Sequence, residues 1–183
     1  SRHLGCEVAA PRLTDPALDV AAAREAIGAA GVVYLDGGDT LHLVEAVRAR
    51  GLEDALGAAA RSALVIYGLS AGACAAAPYT VGYDDDGAPR VARCLSLGVP
   101  WPTDVHDEDD DWPEMRALLE LRPAKERGLV IPTGGAVVVD GLEALCLAGP
   151  AEVRWLEEDG RWGVEPLSPS PPLPAAPSRR VVL

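Results

Sequence analysis

The stretch Ala63-Leu-Val-Ile-Tyr-Gly-Leu-Ser-Ala-Gly-Ala73 decides the reading of the fold. An apolar run with β-branched residues breaks at Gly68 and resumes as small, helix-forming residues, the pattern of strand, sharp turn and helix with Ser70 at the tip. A side chain on such a turn projects above the sheet edge, and the unpaired N–H groups that open the next helix point the same way. Ser70 therefore has the setting of an activated nucleophile. Gly68 and Gly72 suit its flanks, because a strained turn wants a residue tolerant of unusual φ/ψ and a helix passing close to a strand leaves no room for Cβ. The same string also occurs in ordinary strand-to-helix turns, so the surroundings carry the decision.

Upstream, Gly31-Val-Val-Tyr-Leu35 is a continuous apolar run of the kind expected for a parallel strand buried on both faces. Asp36-Gly-Gly-Asp-Thr40 follows as a tight loop, then Leu41 to Arg50 as an amphipathic helix stopped by Gly51, and Leu52 to Arg61 as a second helical stretch. Before them, Leu4 to Ala9 reads as a short strand, and Thr14-Asp-Pro16 supplies a cap and a first-turn proline for a helix over Ala17 to Ala30. Apolar strands alternating with helices predict a three-layer α/β domain with a mainly parallel sheet. In such sheets ligands bind at the carboxyl ends of the strands, so the loops at Asp36 to Thr40 and Gly68 to Ala71 are expected to face each other.

Downstream, Pro78 stops the helix, Tyr79 to Tyr83 reads as a strand, Asp84-Asp-Asp-Gly87 as a turn, and Arg90 to Leu97 as another strand. Val99 to Asp111 is an irregular segment holding His106 and a dense acidic run, and Trp112 to Arg122 is a helix. Leu129 to Ile131, Ala136 to Val139 and a stretch at Leu145 are strands, and Glu152 to Leu156 with Trp162 to Glu165 form a hairpin across Asp159-Gly160. The proline-rich run Ser168 to Pro177 reads as extended, giving one α/β domain over residues 1–167 and a tail over 168–183.

At 183 residues the chain can bury a real core, built from Leu, Val and Ala because Phe is absent. A formal net charge of −12 argues against nucleic acid and anionic membranes as partners. Cys6, Cys74, Cys94 and Cys146 form no CxxC pair and read as reduced thiols, Cys74 packing in the core. No stretch is long and apolar enough to span a bilayer and no signal-peptide pattern opens the chain, so a cytoplasmic location is expected. The acidic clusters match no calcium loop, and neither metal nor cofactor is expected.

A serine hydroxyl needs a base, normally a histidine oriented by a carboxylate. His3 is terminal, His42 lies one turn into a helix where a surface or packing role fits, and His106 remains. The nearest acids in sequence are Asp84, Asp85 and Asp86, just past the first strand after Ser70.

The chain resembles the dipeptidase E and cyanophycinase family of serine peptidases, whose sheet is that of class I glutamine amidotransferases. The resemblance rests on Val33-Tyr-Leu-Asp-Gly-Gly-Asp-Thr40 and Tyr67-Gly-Leu-Ser-Ala-Gly-Ala73, with Leu95 to His106, Ile131-Pro-Thr-Gly134, Val139-Asp-Gly141 and Leu147-Ala-Gly149 fitting further strands. It implies Ser70 as nucleophile, His106 as base, Asp85 as third member with Asp84 and Asp86 as neighbouring alternatives, and an oxyanion hole from the N–H groups of Gly38 and Ala71. Asp39, Thr40 and Arg116 are expected at the substrate. The resemblance also implies further N-terminal strands before Leu4, absent from this sequence, and Thr133 stands where several relatives carry an acidic residue.

The expected activity is hydrolysis of short peptides through an acyl-enzyme, of dipeptidase or other exopeptidase type, by a monomer or homodimer. The alternatives are an esterase of the α/β-hydrolase kind and a catalytically silent binding domain on the same scaffold.

Overall fold

The computed structural model describes residues 7–62, 64–170 and 180–182. Glu7 to Ala10 carry no regular structure, and Leu4 to Cys6 of the first expected strand lie outside the described residues. Helix α1 (Val20–Ala29) begins later than the expected Ala17. Asp15 draws the preceding residues into a turn by accepting from the N–H of Ala17, and Asp19 caps the helix by accepting from Ala22 N. Strand β1 (Val32–Leu35), helices α2 (Thr40–Ala49) and α3 (Glu53–Ala60), strand β2 (Val65–Gly68) and the short helix α4 (Ala71–Ala76) follow where the pattern puts them. Asp39 caps α2 by accepting from His42 N at 2.7 Å.

Strands β3 (Tyr79–Tyr83) and β4 (Pro89–Arg93) form an antiparallel hairpin. Cys94 to Leu97, expected to prolong β4, turns instead onto the end of α4. Leu95, Leu97 and Ser96 donate their N–H groups to the carbonyls of Ala75, Ala76 and Ala77, which the short helix leaves unpaired.

Next come β5 (Thr103–Val105), a 3-10 turn at Glu108–Asp110, α5 (Pro113–Glu120), β6 (Gly128–Ile131), β7 (Ala136–Asp140), β8 (Glu143–Ala148), β9 (Glu152–Leu156), β10 (Trp162–Pro166) and β11 (Arg180–Val182). The strand β5 falls inside the segment read as irregular.

The architecture is mixed α/β, but the single sheet of a three-layer sandwich is not continuous among the described residues. Five strands lie in the order β1-β2-β11-β7-β8, four in the order β10-β9-β6-β5, and β3 and β4 stand apart. The parallel pairs are β1 with β2, β2 with β11, and β5 with β6; the others are antiparallel. The division falls after β6, where Gly135 N donates to Pro132 O in a tight turn that includes Gly134 at φ 79°.

Strand β6 is fully buried and serves two cores. Leu129 and Ile131 join Leu35, Val44, Leu56, Ile66 and Val137, while Val130 joins Trp112, Met115, Leu119 and Leu156. Strand β1 is not buried on both faces as expected. Among the described residues it is the sheet edge, with Val32 59% and Tyr34 51% exposed and the Tyr34 ring stacked on Tyr67 at 5.4 Å.

The expected tail is also corrected in part. Ser168 to Ser170 attach to β8, exchanging hydrogen bonds with Cys146, and Arg180–Val182 form a strand between β2 and β7. The run 171–179 lies outside the described residues. Cys74, Cys94 and Cys146 are free thiols. Burial pushes the Cys94 thiol up to about 12 and holds that of Cys74 still further above its usual range. No helix among the described residues is long and apolar enough to cross a membrane.

Candidate active site

Strands β1 and β2 run parallel with Leu35 opposite Gly68, so both end at one edge. There Leu69 N donates to Leu35 O at 3.0 Å, carrying the pairing one residue further before the chain turns. Ser70 occupies the turn at φ 52°, ψ −119°, a left-sided backbone that L residues rarely adopt. The turn is this tight because α4 lies directly on the strands. A Cβ on Gly72 would sit 2.1 Å from the Leu35 carbonyl oxygen, and one on Gly68 would sit 2.7 Å from Ala73 N.

The loop after β1 lies against the serine, as the site position in the sequence predicts. An ideal Cβ on Gly37 would be 3.5 Å from Ser70 Cβ. Asp36 fixes this loop, its Oδ1 accepting from Gly37 N and from the Tyr34 hydroxyl. Gly38 follows at φ 135°, and neither its N–H nor that of Ala71 has an acceptor among the described residues.

His106 arrives from the other sheet. It follows β5 directly, and its N–H donates to Ile131 O at 3.0 Å, extending the β5–β6 pairing by one residue. Its backbone then turns to φ 48°. The ring is thereby presented to the serine, with Ser70 Oγ 2.8 Å from His106 Nε2. Two residues 36 apart in sequence thus meet at hydrogen-bond distance across the two sheets. With Nε2 unprotonated the ring is the acceptor, and the hydroxyl is poised to lose its proton to it.

Two of the three aspartates expected to orient that ring are engaged elsewhere. Asp84 pairs with Arg90 at 3.0 Å, and Asp86 accepts from Ala88 N within the β3–β4 turn. None of Asp84, Asp85 and Asp86 hydrogen-bonds to His106. A four-residue acidic turn at a hairpin tip satisfies its own backbone first. Arg116 is likewise committed: it donates to Gly160 O at 3.1 Å and lies over the Trp162 ring at 4.5 Å, tying α5 to the β9–β10 hairpin. Asp39 and Thr40 open α2 beside the Gly37-Gly38 loop.

Acidic groups gather around the pair. Asp104, one residue before the end of β5, is buried and accepts from Val105 N and Met115 N. Burial outweighs those two bonds and pushes its carboxyl up to about 6. The Glu114 carboxyl is raised by burial and then by the charges of Asp107 and Asp39. Within the acidic run, Asp109 and Asp110 are exposed, as a solvated run should be, whereas Asp111 is paired with Arg154 at 2.8 Å. Glu108, in the same run, accepts from Thr133 N through Oε1 at 2.9 Å. Among the described residues no group of three or more His, Cys, Asp or Glu is arranged to hold a metal ion.

No curated protein matches the chain. The family model of peptidase family S51 matches residues 2–147, a span that contains the serine turn, the glycine loop, the histidine strand and the β6–β8 segment. The chain therefore belongs to peptidase family S51, the dipeptidase E and cyanophycinase family of serine-type peptidases, which are hydrolases.

Proposed function

We propose that this chain hydrolyses short peptides, with Ser70 as nucleophile and His106 as its base. The observation that carries the reading is the 2.8 Å contact between Ser70 Oγ and His106 Nε2 at a backbone held at φ 52°. As Oγ attacks the scissile carbonyl, its proton passes to Nε2 and the carbonyl π pair moves onto oxygen. That oxyanion is received by the N–H groups of Gly38 and Ala71, which have no acceptor within the described chain. Collapse expels the amine, which takes the proton from Nε2, and water then releases the acyl group by the same steps in reverse.

The substrate reading rests on charge. Asp39 adjoins the oxyanion loop, Asp107 adjoins His106, and both act on Glu114, so the mouth of the site is acidic. Such a field attracts a free ammonium and repels an acidic side chain. This supports dipeptidase or other exopeptidase action on peptides with a free amino terminus. Asp39 and Thr40 are the residues nearest such a substrate in this reading, and Arg116 has no part in it.

The test is a panel of dipeptides, N-blocked tripeptides and simple esters with wild type and Ser70→Ala. Cleavage of the free-amine peptides, lost in Ser70→Ala, supports the proposal. Turnover of esters with no peptide cleavage supports the esterase alternative, and inertness toward the whole panel supports the silent binding domain.

A further inference from the structure

A histidine that takes a proton at Nε2 must hold its other proton at Nδ1, and an acceptor for Nδ1–H fixes both the tautomer and the ring plane. The hairpin aspartates make no such bond. Glu108 opens the 3-10 turn directly after the His106 backbone kink. Its two carboxylate oxygens are used unequally. Oε1 is anchored on Thr133 N at 2.9 Å, whereas Oε2 is shut off from solvent and has no hydrogen-bond partner among the described residues. A buried carboxylate oxygen with nothing bonded to it is rare in folded proteins and calls for an explanation.

The local backbone supplies one. His106 N is bonded to Ile131 O and Glu108 Oε1 to Thr133 N, so the histidine loop and the loop after β6 are laced together on both sides of the ring's attachment. Glu108 is held in its charged form, its carboxyl kept below the usual range by its own N–H, then by the Thr133 hydroxyl and N–H, and also by the charge of the His106 ring.

We infer that Glu108 is the positioning residue of His106, its unpartnered Oε2 accepting the Nδ1–H hydrogen bond in the place that the family resemblance gives to Asp85. The inference rests on the reading of Ser70 and His106 as the reacting pair. The Nδ1–Oε2 bond is not closed in this structure, and catalytic hydrogen bonds of this kind commonly tighten only in the substrate complex. No proton crosses to Glu108: Nδ1–H stays on the ring while Nε2 gains the serine proton and later gives it to the leaving amine. The carboxylate stabilises the cation formed in between.

The experiment measures the pH profile of Ser70 labelling by a fluorophosphonate, together with melting temperature, for wild type, Glu108→Gln, Glu108→Asp and Asp85→Asn. Glu108→Gln is expected to label about 100- to 10,000-fold more slowly, the scale on which triad carboxylates act. Its acidic limb is expected at lower pH, because the imidazolium loses a stabilising charge. Glu108→Asp recovers part of the rate, and Asp85→Asn behaves as wild type.

A second measurement needs no variant. In the wild-type adduct, the downfield His106 Nδ1–H proton is expected to show a cross-peak to the Glu108 γ-protons. A labelled wild type with an unmoved Glu108→Gln, or a cross-peak to an Asp85 β-proton, overturns the inference alone. An unlabelled wild type overturns the Ser70–His106 reading and the inference with it.

Discussion

Ser70 sits at φ 52° because the glycines around it let α4 press onto the strand ends. That pressure makes a residue-scale prediction. Gly72→Ala places a methyl 2.1 Å from a backbone oxygen that has nowhere to go, so a loss of about 3 kcal/mol, the upper end for overpacking, is expected. A fall in the urea midpoint together with slower Ser70 labelling checks it. Asp104 gives a second prediction. Its carboxyl, raised to about 6, keeps its proton in the folded chain after the unfolded chain has released it near pH 4. Its contribution to stability is therefore fullest at low pH and is lost as pH rises to about 6, and a carboxyl-carbon NMR titration is expected to show a midpoint near 6. At this scale the turn at Ser70 with Gly68 and Gly72 at its flanks was legible, because each residue type answers a local demand. The bond from Thr133 N to Glu108 was not legible, since it depends on how the two loops after β5 and β6 are laced together.

At the scale of elements, helices and hairpins were readable where a cap or a turn residue punctuates them. Gly51 after α2 and Asp159-Gly160 between β9 and β10 are examples. Strand β5 was not, for it is Thr-Asp-Val set between prolines and an acidic run, and it exists through its pairing with β6. A three-residue strand has too little periodicity to announce itself. The start of α1 was misplaced for the opposite reason, since two nearby aspartates both offer caps and Asp19 has the better position. Asp39 separates helix capping from site charge. Asp39→Ala is expected to lower stability by about 1 kcal/mol through loss of the bond to His42 N. Asp39→Asn keeps that cap and leaves stability near wild type, while raising KM for a free-amine peptide; equal KM values would remove Asp39 from the substrate reading.

For the whole molecule, the mixed α/β class and the meeting of the loops after β1 and β2 at one sheet edge followed from the pattern. The order of strands did not. That β11 lies between β2 and β7, and that β6 leaves the first sheet for β5 and β9, are pairings between distant segments that no local pattern encodes. The sheet edge at β1 was misread for the same reason, because an apolar run is equally consistent with a central strand. Because Arg180, Val181 and Val182 pair with Val65, Ile66 and Tyr67, deleting residues 180–183 removes hydrogen bonds from the strand that leads into the Ser70 turn. Faster amide exchange at Ile66, whose N–H faces β11 while those of Val65 and Leu69 face β1, and a lower urea midpoint are expected. Unchanged exchange there would contradict this pairing.

The central claim is that Ser70 is activated by His106. Its most direct test is the rate of fluorophosphonate labelling, located by peptide mapping, in wild type and His106→Ala at neutral pH. Rapid modification confined to Ser70 and lost in His106→Ala is the predicted result. Labelling at the same rate in both proteins, or none in either, would contradict it.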